Sequence, residues 1–574
     1  MALETQESEI TGILAASGST QHIQERPVYT QREKLLTMSG VLLVMLLASL
    51  DQTIMDTAMP KIISDLNGFN LYTWVTTAYL LTSTVMVPIY GKLSDLFGRK
   101  PLFLTGVVIF LIGSAASGAS QSMQQLVAFR ALQGLGAAAL MPIAIAVIGD
   151  LFSARERGKW QGVTGAVFGL SAVIGPALGG WITDNTSWRW VFYVNVPVGI
   201  VALFVLVFLM PTLKSQFTGR ARIDYLGAVL LIGTTVPFLL GLSWGGANNQ
   251  YPWLSWQIIS LFVAAAVFLV LFIVYERRLE ARDAQPIIDP SLFTNPIFTV
   301  SVLITSITSM GMFGCIVFLP LFSQGVLGIS ATNSGVRLIP LMGGLIFSSI
   351  ISGQLVSRTG KYKLIAFAGM VITIGGSFLL QQLDVHSTPT ELVLDMIVLG
   401  VGLGFGMSIY TVIVQNAIPD KIGQATSGLT FFRSIGGTIA VAAMGSVLNS
   451  SYVPGFHNAL PASLKAVIKP ADLNNFNNPN VLLSPDTQSQ LHRALAPLGP
   501  LGNQIYGQLF VAVKIGLTDG IHNVFILSTA VMCVGFLLLF FLKEIPLSTT
   551  KREQVKVDAV EDASANSVVA VTME

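Results

Sequence analysis

GKLSDLFGRK, residues 91–100, sets Lys92, Asp95, Arg99 and Lys100 in one short turn between two long apolar runs. GQLVSRTGKYK, residues 353–363, repeats it in weakened form: Gly353 and Gly360 stand where Gly91 and Gly98 do, Lys361 replaces Arg99, and Ser357 takes the place of Asp95. A cationic turn made twice, about 260 residues apart, is what the internal repeat of a transporter bundle leaves in a sequence. The flanking runs then have to be membrane spans.

Composition agrees with that reading. The 574 residues are 52% apolar and 11% charged, and the mean hydropathy is +0.69, outside the range of a soluble domain. A net charge of +2 spread over many turns does not suit nucleic acid. Cys315 and Cys533 both lie in apolar runs, so no disulfide framework is implied. The five histidines are scattered, which argues against a metal site, and no GxxxxGK[ST] phosphate loop points to ATP. A proton gradient is the expected driving force, with no cofactor. One proton moved through about 150 mV supplies roughly 3.5 kcal/mol.

Spans need about 20 mainly apolar residues to cross roughly 30 Å. Fourteen runs qualify, near residues 36–58, 72–90, 102–121, 125–149, 160–182, 190–210, 224–243, 254–275, 298–322, 331–356, 363–382, 391–417, 425–448 and 521–542. With the amino terminus inside, most Lys and Arg fall on inner segments, and the short outer turns hold only Lys61 and Arg189. The expectation is an all-α polytopic membrane protein of the cell (plasma or inner) membrane with both termini cytoplasmic. A cytoplasmic tail covers residues 1–35, without the apolar core of a signal peptide. A six-helix bundle covers 36–211, a linker with two extra spans 212–297, a second six-helix bundle 298–543, and a cytoplasmic tail 544–574. The second bundle carries one long outer segment, 449–520, whose part QIYGQLFVAVKIGLTDGI reads as an amphipathic surface helix or a solvated connector.

An ionisable group inside a span is costly unless paired or wet, so each one is a functional candidate. Asp51 on span one and Arg130 on span four both fall roughly 22 Å from the inner side. They are expected to share a cavity, the carboxylate taking and releasing a proton with the arginine as its counter-charge. Gln133 and Gly134 follow on the face of Arg130. Arg337 and Asp395 form a fainter echo in the second bundle. GPALGG, 175–180, puts Pro176 between Gly175 and the pair Gly179 and Gly180, after a small-residue run from Gly162, and predicts a kinked, closely packed span five.

Together these stretches resemble the major facilitator superfamily, specifically the fourteen-span drug:proton antiporters of the EmrB/QacA type, over residues 36–545. GKLSDLFGRK resembles the family's turn between spans two and three, which implies a gating role for Gly91, Asp95, Gly98, Arg99 and Lys100. LVAFRALQGLG resembles the fourth-span motif and implies proton coupling at Arg130, with Gln133, Gly134 and Gly136. Gly162, Gly175, Pro176, Gly179 and Gly180 match the fifth-span antiporter motif, with Ser171 where glycine is usual. LDQTIMDTAMP resembles the first-span motif and puts its acid on Asp51, and SWRWVFYVNVPVG, 187–199, resembles the lead-in to span six. The resemblance implies two bundles around a cavity that opens alternately to each side, and export of small lipophilic compounds, cationic above all, in exchange for protons. Asp51, Arg130, Gln133 and Gly134 would line the site with Trp74 and Tyr79. The alternatives are an uptake symporter, an exporter of a specific metabolite or siderophore, or, with no catalytic cluster to support it, a membrane sensor or enzyme. The partners expected are the substrate, protons and the bilayer, not nucleic acid; an adaptor protein is left open.

Overall fold

The computed structural model describes residues 29–66, 71–213, 222–246, 251–282, 284–329, 337–467, 476 and 485–547. The expected tails therefore lie mostly outside the described residues, as does part of the long outer segment. Among the described residues the protein is helical, with a single isolated bridge between Gly245 and Tyr251. Thirteen helices are long and apolar enough to cross a bilayer. The remaining one, α2, is diluted by Thr76, Thr77, Thr82 and Thr84 and completes a set of fourteen.

The first six are α1 (Gln31–Leu66), α2 (Tyr72–Phe97), α3 (Arg99–Gly118), α4 (Met123–Leu151), α5 (Ala154–Asn185) and α6 (Asn195–Leu209). Next come α7 (Tyr225–Trp244) and α8 (Trp256–Glu280). The last six are α9 (Pro296–Ile316), α10 (Ile339–Thr359), α11 (Lys363–Leu380), α12 (Pro389–Ala417), α13 (Ile422–Ala459) and α14 (Pro500–Leu539). The described part of each expected run falls mainly on one of these helices; residues 331–336 of the tenth run lie outside the described residues.

Local chemistry sets where many of them begin. Ser122, Ser255 and Asn295 cap α4, α8 and α9 by accepting backbone N–H groups, and Ser153–Glu156 and Thr388–Glu391 form reciprocal capping boxes on α5 and α12. These caps satisfy donors that the helix itself leaves open. Gly98 (φ 91°) and Gly360 (φ 68°) occupy equivalent places in the two copies of the repeat. Both have a positive φ that side chains disfavour, so each copy keeps its glycine, although ψ is 158° at Gly98 and −1° at Gly360 and the two turns differ in shape.

The long outer segment differs from expectation. Helix α13 continues to Ala459 and α14 starts at Pro500, so QIYGQLFVAVKIGLTDGI is the first half of the last helix and not a separate surface helix. Its Leu509, Val513 and Leu517 are buried, as are Tyr452 and Phe456 on α13. Gly516 lies directly against Phe456. A buried apolar stripe continues through this segment, with Thr518 buried in it and Asp519 against Gly455 of α13.

Helices α7 and α8 pack on each other, with Phe268 and Phe262 of α8 over Gly233 and Gly241 of α7. The glycines that dilute the seventh run are thus the seats for these rings. The first six helices and the last six meet chiefly through α5 against α10 and α2 against α13.

Candidate functional site

A polar cluster lies within the first six helices. Asp51 and Arg130 are each 2% exposed, and Gln133, Asn195 and Ser114 are fully buried. Arg130 Nη1 donates to Asp51 Oδ2 at 2.8 Å and to Gln133 Oε1 at 2.8 Å. Gln133 Nε2 and Asn195 Nδ2 both donate to Asp51 Oδ1 at 2.8 Å. Asn195 also donates to Ser114 Oγ at 3.0 Å, and Ser114 in turn to the Phe192 carbonyl at 2.9 Å. The guanidinium lies over the Tyr79 ring, 4.1 Å from its centroid. One carboxylate thus ties α1, α4 and α6 together, with α3 bound through Ser114.

An ionised carboxylate, a pure acceptor, suits three donors, one of them a guanidinium. Protonation would remove the charge that strengthens the Arg130 contact and so weaken the cluster. The cluster is therefore chemically able to couple proton binding to helix position. Asn195 and Ser114 do not stand out in the sequence; the single amide in YVNVPVG was the available signal.

Some expected lining residues sit elsewhere. Trp74 meets Trp244 of α7 edge-on at 5.5 Å, so it seats the linker pair instead of lining a central cavity. Tyr79 is sealed beneath Arg130. Gly134 is a packing position, where an added side chain would strike Thr82 and the Tyr79 carbonyl of α2. Gly136 lies equally close to the α3 backbone at Phe110. No ion pair joins Arg337 and Asp395 among the described residues.

The opening motif lies where the halves meet. Asp95 accepts from the backbone N–H groups of Gly423 (3.1 Å) and Gln424 (2.8 Å), at the amino end of α13. Arg99 holds Asp95 at 2.6 Å and Asp150 at 2.7 Å. Lys100 donates to the carbonyls of Val207 and Met210 at the end of α6. A side chain on Gly91 would collide with Ser427 and the Gly423 carbonyl, and one on Gly353 with the Gly158 backbone of α5. Each copy of the repeat thus crosses the fifth helix of the other half on a glycine.

The second copy lacks an aspartate but is fastened in another way. Arg155 donates to the Ser357 and Arg358 carbonyls at the end of α10. Arg157 reaches the Gln415 carbonyl at 3.1 Å, and Gln415 reaches back to the Ile145 carbonyl at 3.1 Å. Nearby, Lys421 is paired with Asp289. Burial pushes the Asp289 carboxyl up, but the Lys421 and Ser291 hydrogen bonds outweigh this and hold it below the usual carboxylate range.

On α5, Gly162 contacts Ser349 and Ile350 of α10, while Gly175 faces Thr53 of α1, whose hydroxyl donates to the Ser171 carbonyl at 3.0 Å. Pro176 is mid-helix and Gly179 is buried, but Gly180 has nothing within 4 Å of where a side chain would begin.

The family profile described as Major Facilitator Superfamily matches residues 41–441. Among curated relatives, the multidrug transporter protein MdtP of Bacillus subtilis (strain 168) is 40% identical over 540 residues, covering 91% of this chain and 95% of that one. Multidrug resistance protein 3 of the same organism is 38% identical over 458 residues, covering 79% and 87%. Among solved structures, the human organic anion transporter MFSD10 superposes with a TM-score of 0.56 at 14% identity, covering 89% of this chain and all of that one. The proton:xylose symporter XylE gives 0.52 at 12% identity, covering 85% and 95%. The last two speak for the fold alone. With fourteen helices, a duplicated basic turn and a profile match through both halves, this integral membrane protein belongs to the Major Facilitator Superfamily.

Proposed function

We propose that the protein is a proton-coupled efflux transporter that exports lipophilic, chiefly cationic, compounds across the cell membrane in exchange for protons. The observation that carries the coupling is the buried carboxylate Asp51, held by Arg130, Gln133 and Asn195 on separate helices. Relatives named as multidrug transporters support the cargo class. The positive-inside rule puts the end with residues 91–100, and both termini, in the cytoplasm. The Asp95 and Arg155 contacts then close the cytoplasmic side, leaving Asp51 to exchange its proton with the outside when the cluster opens. Arg99 and Lys100 brace that closure, and the α5 glycines let α5 lie close to α10.

Everted membrane vesicles test this. An acidified lumen is expected to drive uptake of a fluorescent lipophilic cation such as ethidium, and Asp51→Asn to abolish gradient-driven uptake while the protein remains in the membrane. Full gradient-driven transport by Asp51→Asn would refute the coupling role.

A further inference from the structure

Away from the Asp51 cluster, the two linker helices and α13 enclose a cavity of about 680 Å³. Its wall is made by phenylalanines from several directions: Phe238 of α7, Phe262 and Phe272 of α8, Phe293 just before α9, and Phe431 and Phe432 of α13. The polar groups on this wall are Thr234, Thr235, Glu276 and Arg277. Glu276 is 1% exposed; its carboxyl group lies against the Ile287 backbone and the Asp224 carboxyl, without a well-formed hydrogen bond to either of its oxygens. The Asp224 carboxyl, which caps α7 by accepting from Gly227 at 2.8 Å, has its other oxygen buried in the same condition. The two acids converge over Gly227, where an added side chain would run into Asp224 Oδ2 and Glu276 Oε1.

Two converging carboxyl groups cannot both stay ionised in a dry site without a cation. Lys92 of α2 acts on Glu276 electrostatically and Arg277 of α8 shares the cavity wall, yet no ion pair reaches Glu276 among the described residues. Arg282 lies near the neighbouring Tyr275, and Lys421 is already committed to Asp289. The site has an aromatic body and an acidic foot, with no cation at ion-pair distance from Glu276 among the described residues. Aromatic faces attract cations, and a desolvated carboxylate fixes one end of a bound molecule.

We propose that this lateral cavity is a second binding site, which takes amphipathic cations with the charge on Glu276, backed by Asp224, and the apolar body among the phenylalanines. A structural plug of lipid chains would need the apolar wall but not the acids. A lipophilic cation needs both. The proposal does not depend on the pump reading, because binding requires no gradient.

The test uses the full-length protein in nanodiscs without a gradient. Two probes are compared: an alkylammonium bearing a benzophenone, and the uncharged alcohol of the same skeleton. Photolabelled peptides are mapped by mass spectrometry. The ammonium is expected to label residues 231–238, 262–277 and 431–435, at least about tenfold more than the alcohol, a contrast of about 1.4 kcal/mol. Excess tetraphenylphosphonium is expected to suppress this labelling in the unmodified protein. Glu276→Gln should remove most of it, and Glu276→Asp should restore part. Equal labelling by the alcohol, persistence in Glu276→Gln, labelling confined to α1 and α4, or no competition in the unmodified protein would each overturn the site. Failure of proton-driven transport in vesicles would leave it standing.

Discussion

Arg130 Nη1 serves Asp51 and Gln133 at once, and Asp51 Oδ1 serves Gln133 and Asn195 at once. Removing any one member therefore leaves another buried and short of a partner. An orphaned buried polar group costs about 1–3 kcal/mol, more when it is charged. Asn195→Leu keeps the approximate shape but takes one donor from Asp51 and the one donor to Ser114, which keeps its bond to the Phe192 carbonyl. We expect proton-driven efflux to fall about tenfold, equivalent to roughly 1.4 kcal/mol. We also expect a lower apparent melting temperature in a detergent thermal-shift assay. An unchanged efflux rate would show that α6 is not part of the coupling unit. Of this cluster, Asp51, Arg130 and Gln133 are legible in the sequence because charge and amide groups in apolar runs stand out. Asn195 and Ser114 are not, because one amide or hydroxyl in a helix is ordinary until its neighbours from other helices are known.

At the scale of elements, the repeat is a device for crossing helices. Gly91 and Gly353 each admit the fifth helix of the opposite half, and backbone approach at these crossings leaves no room for a branched side chain. Gly353→Val is expected to hold α10 away from α5 at Gly158 and so to disfavour the closed basic end, with little effect on folding within either half. The check is the reactivity of Ser349→Cys, a buried, near-isosteric position at this crossing, towards a membrane-impermeant maleimide in everted vesicles, with Cys533 replaced by serine: it should label several-fold faster than in the Gly353 protein. Equal labelling would mean the crossing tolerates bulk. The caps on α4, α5, α9 and α12 are legible residue by residue. The forward extension of α14 to Pro500 is not, because its stripe becomes apolar only against α13.

Across the whole molecule, the two halves are fastened by unlike chemistry in like places. The first copy presents an acid, Asp95, to the amino end of α13, where free N–H groups and the helix dipole favour negative charge. The second presents carbonyls at the carboxyl end of α10, where a cation is favoured, and Arg155 supplies it. Ser357 opposite Asp95 is thus no gap in the latch, since its carbonyl is what the arginine takes. Arg155→Ala and Asp95→Asn should each shift the population towards opening at the basic end, and the pair together more than either. Spin labels across that end, read by pulsed electron–electron distance measurements, would report it. An unchanged distance distribution in the double variant would remove the latch role.

The sequence by itself determined the membrane class, the number of spans and their order, the duplication and the acid–base pair within the first half. Those follow from hydropathy, spacing and the cost of charge in lipid, which are properties of residues taken singly or along one chain segment. Only the tertiary structure decided which groups complete the Asp51 cluster, how Arg155 replaces a missing acid, that Trp74 faces the linker, and that Asp224 and Glu276 meet beneath a cage of phenylalanines. Each of these depends on side chains from helices distant in the chain arriving at one point. In a bilayer, where nearly every span is apolar on all faces, the sequence pattern carries little record of which face meets which neighbour.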